Sequence, residues 1–273
     1  MSIYLLSPAL FFSLLVRVQV EATEALRTGA FMILFVAAVG AVALLSGRAL
    51  GLETSATAAL LLCTMFMNAG NYGLPVARFA FGEEGFERAA FFAVQAVLEQ
   101  TLAVHILGAG HGDLRGGFRR LLRMPQLYAI LAALAVRLGG AAPTLLDDGV
   151  LGNLFSGVSL VSDAAVPILL VVLGLQLAKA EGIREGRWVA LATGLRLLVS
   201  VPIALVLAGL LGLDDLSADL AVLLASMPTA VNMSILSIEF NVRPRFVGSV
   251  VTVVPTAASV LTLTLLLILV QAT

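Results

Sequence analysis

The sequence predicts an all-α integral membrane protein built as two inverted halves, each interrupted by one broken helix. Three observations carry this. Hydrophobic residues make up 60% of the chain and charged residues 12%, with a mean hydropathy of +1.05, against about 25% charged residues in soluble domains. The chain also divides into nine apolar runs close to the ~17–25 residues that cross a bilayer. Finally, two of these runs carry clusters that a lipid-crossing helix avoids. One is Met67-Asn68-Ala69-Gly70-Asn71-Tyr72-Gly73-Leu74-Pro75, the other Ser226-Met227-Pro228-Thr229-Ala230-Val231-Asn232. Glycines weaken the helix, a proline removes a backbone N–H, and asparagines demand hydrogen-bond partners. Such backbone is tolerated at membrane depth only where it is buried in protein or lines a wet cavity. Paired breaks in corresponding positions of two halves point to a midplane substrate site.

The nine spans lie near 3–19, 29–47, 56–81, 87–109, 125–141, 152–178, 188–212, 217–239 and 246–271. Loops between them are short and leave no room for a soluble domain. The start, Met1-Ser2-Ile3-Tyr4, has no basic segment and no cleavage site of a signal peptide. Lys and Arg set the orientation. With the N-terminus inside, Arg48, Arg115, Arg119, Arg120, Arg123, Lys179, Arg184, Arg187, Arg243 and Arg245 fall on the inner side. Arg17, Arg27, Arg88 and Arg137 fall outside, among the acids Glu21, Glu24, Glu83, Glu84, Glu87, Asp147, Asp148, Asp214, Asp215 and Asp219. This predicts a multi-pass protein of a bacterial-type cytoplasmic (inner) membrane, N-terminus inside and C-terminus outside. A net charge of −1 argues against nucleic acid as a partner.

The basic segment 111–124 reads as a linker between a first repeat, 1–110, and a second, 125–273. Pro8 in the first span answers Pro167 in the sixth, and Pro75 answers Pro228. Proline is favoured at the start of a helix, so Pro75 and Pro228 are each expected to open a half-helix. A helix start carries unsatisfied N–H groups and about half a positive charge. Two such starts converging at mid-membrane, with neutral amides beside them, suit a carboxylate better than a cation. The predicted substrate site is Asn68, Asn71, Tyr72, Gly73, Pro75, Met227, Pro228, Thr229 and Asn232. The competing reading is two proline kinks whose asparagines bond neighbouring backbone.

Charges within spans are the next candidates, because each costs about 2.5–3.5 kcal/mol at a helix centre. Glu99 reads either as a carrier of a coupling proton, with Gln95 one turn earlier, or as a structural partner of Arg78 or Arg196. Asp163 faces either the substrate path or a helix contact. Arg78 either attracts an anion or snorkels to the outer interface, and Arg196 has the same two readings. Cys63 is a packing residue, and His105 and His111 are too isolated for a metal site. The chain has no phosphate loop, no zinc-protease motif and no nucleophile elbow. That predicts neither an enzyme nor a direct user of ATP, with no metal and no cofactor beyond a coupling ion, H+ or Na+.

Asn68-Ala69-Gly70-Asn71-Tyr72-Gly73-Leu74-Pro75 with Phe81-Gly82 resembles the fourth-helix motif of the auxin efflux carrier family. Val161-Ser162-Asp163-Ala164-Ala165-Val166-Pro167 with Leu173-Gly174-Leu175-Gln176-Leu177 is similar to its seventh helix. Ala225-Ser226-Met227-Pro228 through Glu239-Phe240-Asn241 is similar to its ninth. The resemblance implies ten helices as two inverted five-helix repeats, four plus five of them present here, with this chain starting at the equivalent of the second helix. It implies an elevator-type carrier in which crossed fourth and ninth helices move against a scaffold. The scaffold would be the equivalents of helices one, two, six and seven, with homodimerisation through 3–19 and 152–178. It implies small carboxylate substrates such as malate, malonate or auxin-like acids. Two alternatives stand beside it: a sodium-coupled symporter resembling the bile acid carriers, and a non-transporting receptor for an organic anion.

Overall fold

The computed structural model describes residues 5–18, 20–93, 102–107, 122–147, 149–178, 185–255, 257 and 264. Over these residues the secondary structure is helical, apart from one isolated β-bridge. The helices are α1 (Ser7–Arg17), α2 (Ala22–Ala49), α3 (Thr54–Met65), α4 (Leu74–Ala89), α5 (102–107), α6 (Pro125–Leu138) and α7 (Ala142–Leu146). They continue as α8 (Val150–Ala178), α9 (Gly186–Gly194), α10 (Ser200–Leu211), α11 (Asp215–Ala225), α12 (Asn232–Glu239) and α13 (244–255). Each of the nine predicted spans contains helix. Among the described residues, three stretches are long and apolar enough to cross a bilayer: α2, residues 150–172 of α8, and Gly186–Leu211. In the last of these, the π-helical turn Leu195–Val199 joins α9 to α10.

Local chemistry sets the boundaries. Gly212 ends α10 with φ +61°, and the N–H of Leu213 donates back to the Ala208 carbonyl at 3.1 Å. That is a glycine C-cap. Two residues later, Asp214 caps α11 by accepting from the Ser217 N–H at 2.8 Å. Gly82 (φ +65°, ψ −156°) breaks the α4 run internally, at the turn between the third and fourth predicted spans.

The helices pack in two groups. Helix α1 packs on α6 and α8, and α7 packs on α8. The second group is built on α2, which packs against α3 and α10, while α11 packs against α10 and α4. The groups meet where α8 touches α4 and the π-helical turn Ala69–Gly73, and where α1 touches α4 and residues 90–93. Leucines such as Leu138, Leu160 and Leu210 are more than 70% exposed around the outside. Water would penalise such a belt, and hydrocarbon accepts it.

Polar clusters close the two ends. At one end Arg88 reaches the Asp214 carboxylate (2.5 Å) and the Ser217 hydroxyl (3.3 Å), Glu24 accepts from the Asp214 N–H, and Arg27 donates to the Gly212 carbonyl at 2.6 Å. The charged residues among these are all assigned above to the outer side. At the other end Arg243 pairs with Glu53 and, at 2.7 Å, with Glu185. Those three come from loops assigned to the inner side. The alternation of spans inferred from the charges is therefore consistent with which loops meet.

Between the ends, one glycine sets how closely the broken stretches approach. A Cβ at Gly73 would lie 2.5 Å from Leu224 Cδ2 and 3.5 Å from Met227 Cγ. Leu224 is fully buried and has little room to turn aside. Gly73→Ala is expected to lower stability by about 1–3 kcal/mol through overpacking, read as thermal unfolding in detergent. Adding Leu224→Ala should return part of that loss, whereas two independent sites would simply add. The second expectation concerns acid. Burial raises the Asp214 pKa, but hydrogen bonds from the Ser217 backbone, the Ser217 side chain and Arg88 outweigh it, so the carboxyl sits below the usual aspartate range. A depressed carboxyl stabilises the fold above its unfolded pKa and loses that contribution as pH falls through the folded value. Thermal stability should therefore drop below about pH 4, and Asp214→Asn should be less stable at neutral pH with a flatter acid limb.

Candidate functional site

The two broken stretches cross. Helix α3 ends at Met65, α11 ends at Ala225, and the chain after each runs extended past the other. Met67 faces Thr229 in an antiparallel bridge. Its two backbone bonds are the Asn68 N–H to the Pro228 carbonyl at 2.7 Å and the Ala230 N–H to the Phe66 carbonyl at 2.9 Å. The Thr229 hydroxyl adds a third link between the halves, donating to the Cys63 carbonyl at 2.6 Å.

Arg196 completes the crossing. Its side chain is fully buried, reaching in from the π-helical turn Leu195–Val199. Nη1 donates to the Thr64 carbonyl at the end of α3 (2.8 Å). Nη2 donates to the Ala225 carbonyl (2.8 Å) and Nε to the Met227 carbonyl (3.0 Å), at the end of α11. One guanidinium thus gathers the C-terminal ends of two half-helices from opposite halves of the chain. The Phe35 ring lies 5.8 Å from its carbon, a cation–π distance.

Beyond the crossing, new helical structure begins on both sides. On one side the π-helical turn Ala69–Gly73 leads into α4. Asn68 caps this turn, its Oδ1 accepting from the Asn71 N–H at 3.2 Å, and the Gly73 N–H donates to the Asn68 carbonyl at 2.9 Å. Asn68 is 5% exposed, and its Nδ2 has no hydrogen-bond partner among the described residues. On the other side α12 starts at Asn232. Gly70, Asn71 and Tyr72, together with Val231 and Asn232, are only half-buried. The Ala69–Gly73 turn also packs against α8, so its half-buried residues border the seam between the two helix groups.

Most of the predicted site residues come together here, with two corrections. Pro75 does sit at the start of α4, in its first turn. Pro228 does not open a half-helix: it lies in the extended link, and α12 begins at Asn232. The reason is that the Pro228 carbonyl is committed to the bridge, which holds residues 228–230 extended. For the same reason the crossing pairs Met67 with Thr229, not Pro75 with Pro228. Met227, Pro228 and Thr229 are buried within the crossing, as is Gly73. Asp163 stands exposed on α8 beside the buried Ser162. Arg78 donates to Glu83 at 2.7 Å and lies over the Phe86 ring, which places it toward the outer loop. Glu99 and Gln95 lie outside the described residues. The residue that sequence reasoning undervalued is Arg196. Its one signal was a charge in the middle of an apolar span.

Residues 115–267 match the family described as membrane transport protein. An uncharacterized transporter of Methanothermobacter thermautotrophicus is 33% identical over 214 residues, covering 77% of this chain and 67% of its own length. An uncharacterized transporter of Methanocaldococcus jannaschii is 26% identical over 222 residues, covering 80% of this chain and 70% of its own. With its multi-pass helical fold and crossed broken helices, the chain belongs to the membrane transport protein family, that of the auxin efflux carriers, and is a transporter rather than an enzyme.

Proposed function

We propose that the protein is a secondary carrier of small organic anions, carboxylates of the malate, malonate or auxin-like class, working by alternating access at the Met67/Thr229 crossing. The observation that supports this most is the buried Asn68 amide. Its Oδ1 is used as a cap while Nδ2, a donor with no partner among the described residues, lies beside a fresh helix start. An unmatched buried donor costs about 1–3 kcal/mol, and a carboxylate oxygen satisfies it. Asn232 at the start of α12 adds a second amide and a second helix N-terminus. The carbonyl-rich ends that would attract a cation are instead turned onto Arg196.

The antiparallel sense of the bridge favours two inverted repeats. The separate packing of α1, α6, α7 and α8 favours a scaffold against which the crossed helices slide as an elevator, with the exposed apolar face of α8 available to a second copy. The bacterial-type inner membrane and the coupling ion, H+ or Na+, remain part of the same proposal.

The test is uptake of labelled malate and malonate into proteoliposomes under imposed pH or sodium gradients. Saturable, gradient-driven uptake is expected. Binding without flux would replace the carrier by a receptor. Asn68→Asp keeps the cap acceptor and sets a negative charge where the anion is placed. It should raise the apparent KM by about 10–100-fold, the worth of one hydrogen bond to a charged group, and the buried carboxyl should also lower thermal stability. Asn232→Ala should raise it less. Wild-type KM in both variants would move the anion away from the crossing.

A further inference from the structure

We infer that the Arg196 guanidinium is a tethered cation standing where a carrier of this build would otherwise bind a metal cation, and that it thereby sets the ion requirement of transport. The inference rests on the alternating-access reading above. In broken-helix transporters, unwound carbonyls and half-helix C-terminal ends form cation sites, while half-helix N-termini hold anions. This chain has such a carbonyl cluster: Thr64, Ala225 and Met227 all point their oxygens to within 3.0 Å of one group. The group is a side chain. It is fully buried, sits over Phe35, and is carried on a π-helical turn that interrupts the span between α9 and α10.

A guanidinium suits this task. It stays charged, and its planar fork sends separate N–H groups to separate oxygens. Unlike a sodium ion, it cannot leave with the substrate. The carbonyl cluster therefore stays neutralised through the whole cycle, and the crossing keeps its geometry in both orientations without drawing on a sodium gradient at this place. Arg196 acts through the backbone it holds, so it is a positioning residue.

Three proteins decide this: the wild type, Arg196→Lys and Arg196→Ala, each assayed with sodium chloride or choline chloride at equal ionic strength, with and without guanidinium chloride at low millimolar concentration. Wild-type malonate uptake should be the same in sodium and choline. Arg196→Ala should lose tenfold or more of its uptake and melt at lower temperature, and guanidinium or sodium, but not choline, should restore part of both. Arg196→Lys should keep sodium-independent uptake. A purely structural arginine would not create a new cation dependence of flux.

Wild-type uptake that requires sodium, or an alanine variant indifferent to both cations, overturns the inference. Should Arg196→Ala fail to fold in every condition, the lysine variant decides: sodium-independent uptake supports the tethered cation, and sodium-dependent or absent uptake overturns it. The melting measurements need no substrate. If wild-type protein moves neither malate nor malonate, that failure counts against the carrier reading, while cation-specific recovery of the alanine variant's melting temperature still decides the cation site.

Discussion

Every peptide carbonyl released by breaking a helix inside hydrocarbon needs a donor, and at this depth water does not supply one. Each unmatched group costs several kcal/mol. The two breaks solve this jointly. The Cys63 carbonyl is met by the Thr229 hydroxyl, that of Thr64 by Arg196, and that of Phe66 by the Ala230 N–H. In return the Pro228 carbonyl is met by the Asn68 N–H, and those of Ala225 and Met227 by Arg196. The donors for one half come largely from the other. All three of the first half's carbonyls depend on donors from the second half, and the Pro228 carbonyl depends on the first, so the crossing joins the two broken helices as one unit.

The two halves meet this requirement unequally. The first break is lengthened by a π-helical turn that wraps back onto Asn68, and it has a glycine at the point of closest approach to Leu224. The second is a short link in which a turn at Ser226 and Met227 leads into the extended residues 228–230, and α12 begins at Asn232. Arg196 comes from the second half only, and two of its three carbonyls lie on that half's own broken helix. The asymmetry has a consequence at the opening of the site. Gly70, Asn71 and Tyr72 are carried outward by the added turn and are the part of the crossing that meets α8. Contact between the two helix groups therefore runs through the first half, at this turn, α4 and residues 90–93.

Much of this was legible in the sequence, because the strongest signals are local. Composition and run length mark an all-helical membrane protein, and clusters of Gly, Asn and Pro mark where the helices fail. Loop charges sort the ends into two sides, and Arg88 meets Asp214 at one end while Arg243 meets Glu53 at the other. Register was not legible. Pro75 and Pro228 look alike in a sequence, yet one opens a helix, where a missing N–H is harmless, and the other offers its carbonyl to a bridge. Gly73 reads as a helix breaker and in fact clears space for Leu224. Arg196 reads as an awkward charge because the oxygens that justify it lie 132 and about 30 residues away. No window along the chain contains both partners.

The crossing also sorts polarity. A broken helix exposes two kinds of end at once, carbonyls from the half that stops and N–H groups from the half that starts, and a pair of crossed breaks exposes two of each. Here the carbonyl ends are drawn inward onto a fixed positive charge that is wholly buried. Of the starting ends, the one beside Asn68 lies at the helix-group seam, and Asn232 opens the other. With the acceptors used internally, the groups left over are donors at helix starts, and on the proposed reading these favour negative charge. On the anion-carrier reading proposed above, the sign of the cargo would follow from how the backbone is satisfied, with the carbonyl ends held by Arg196.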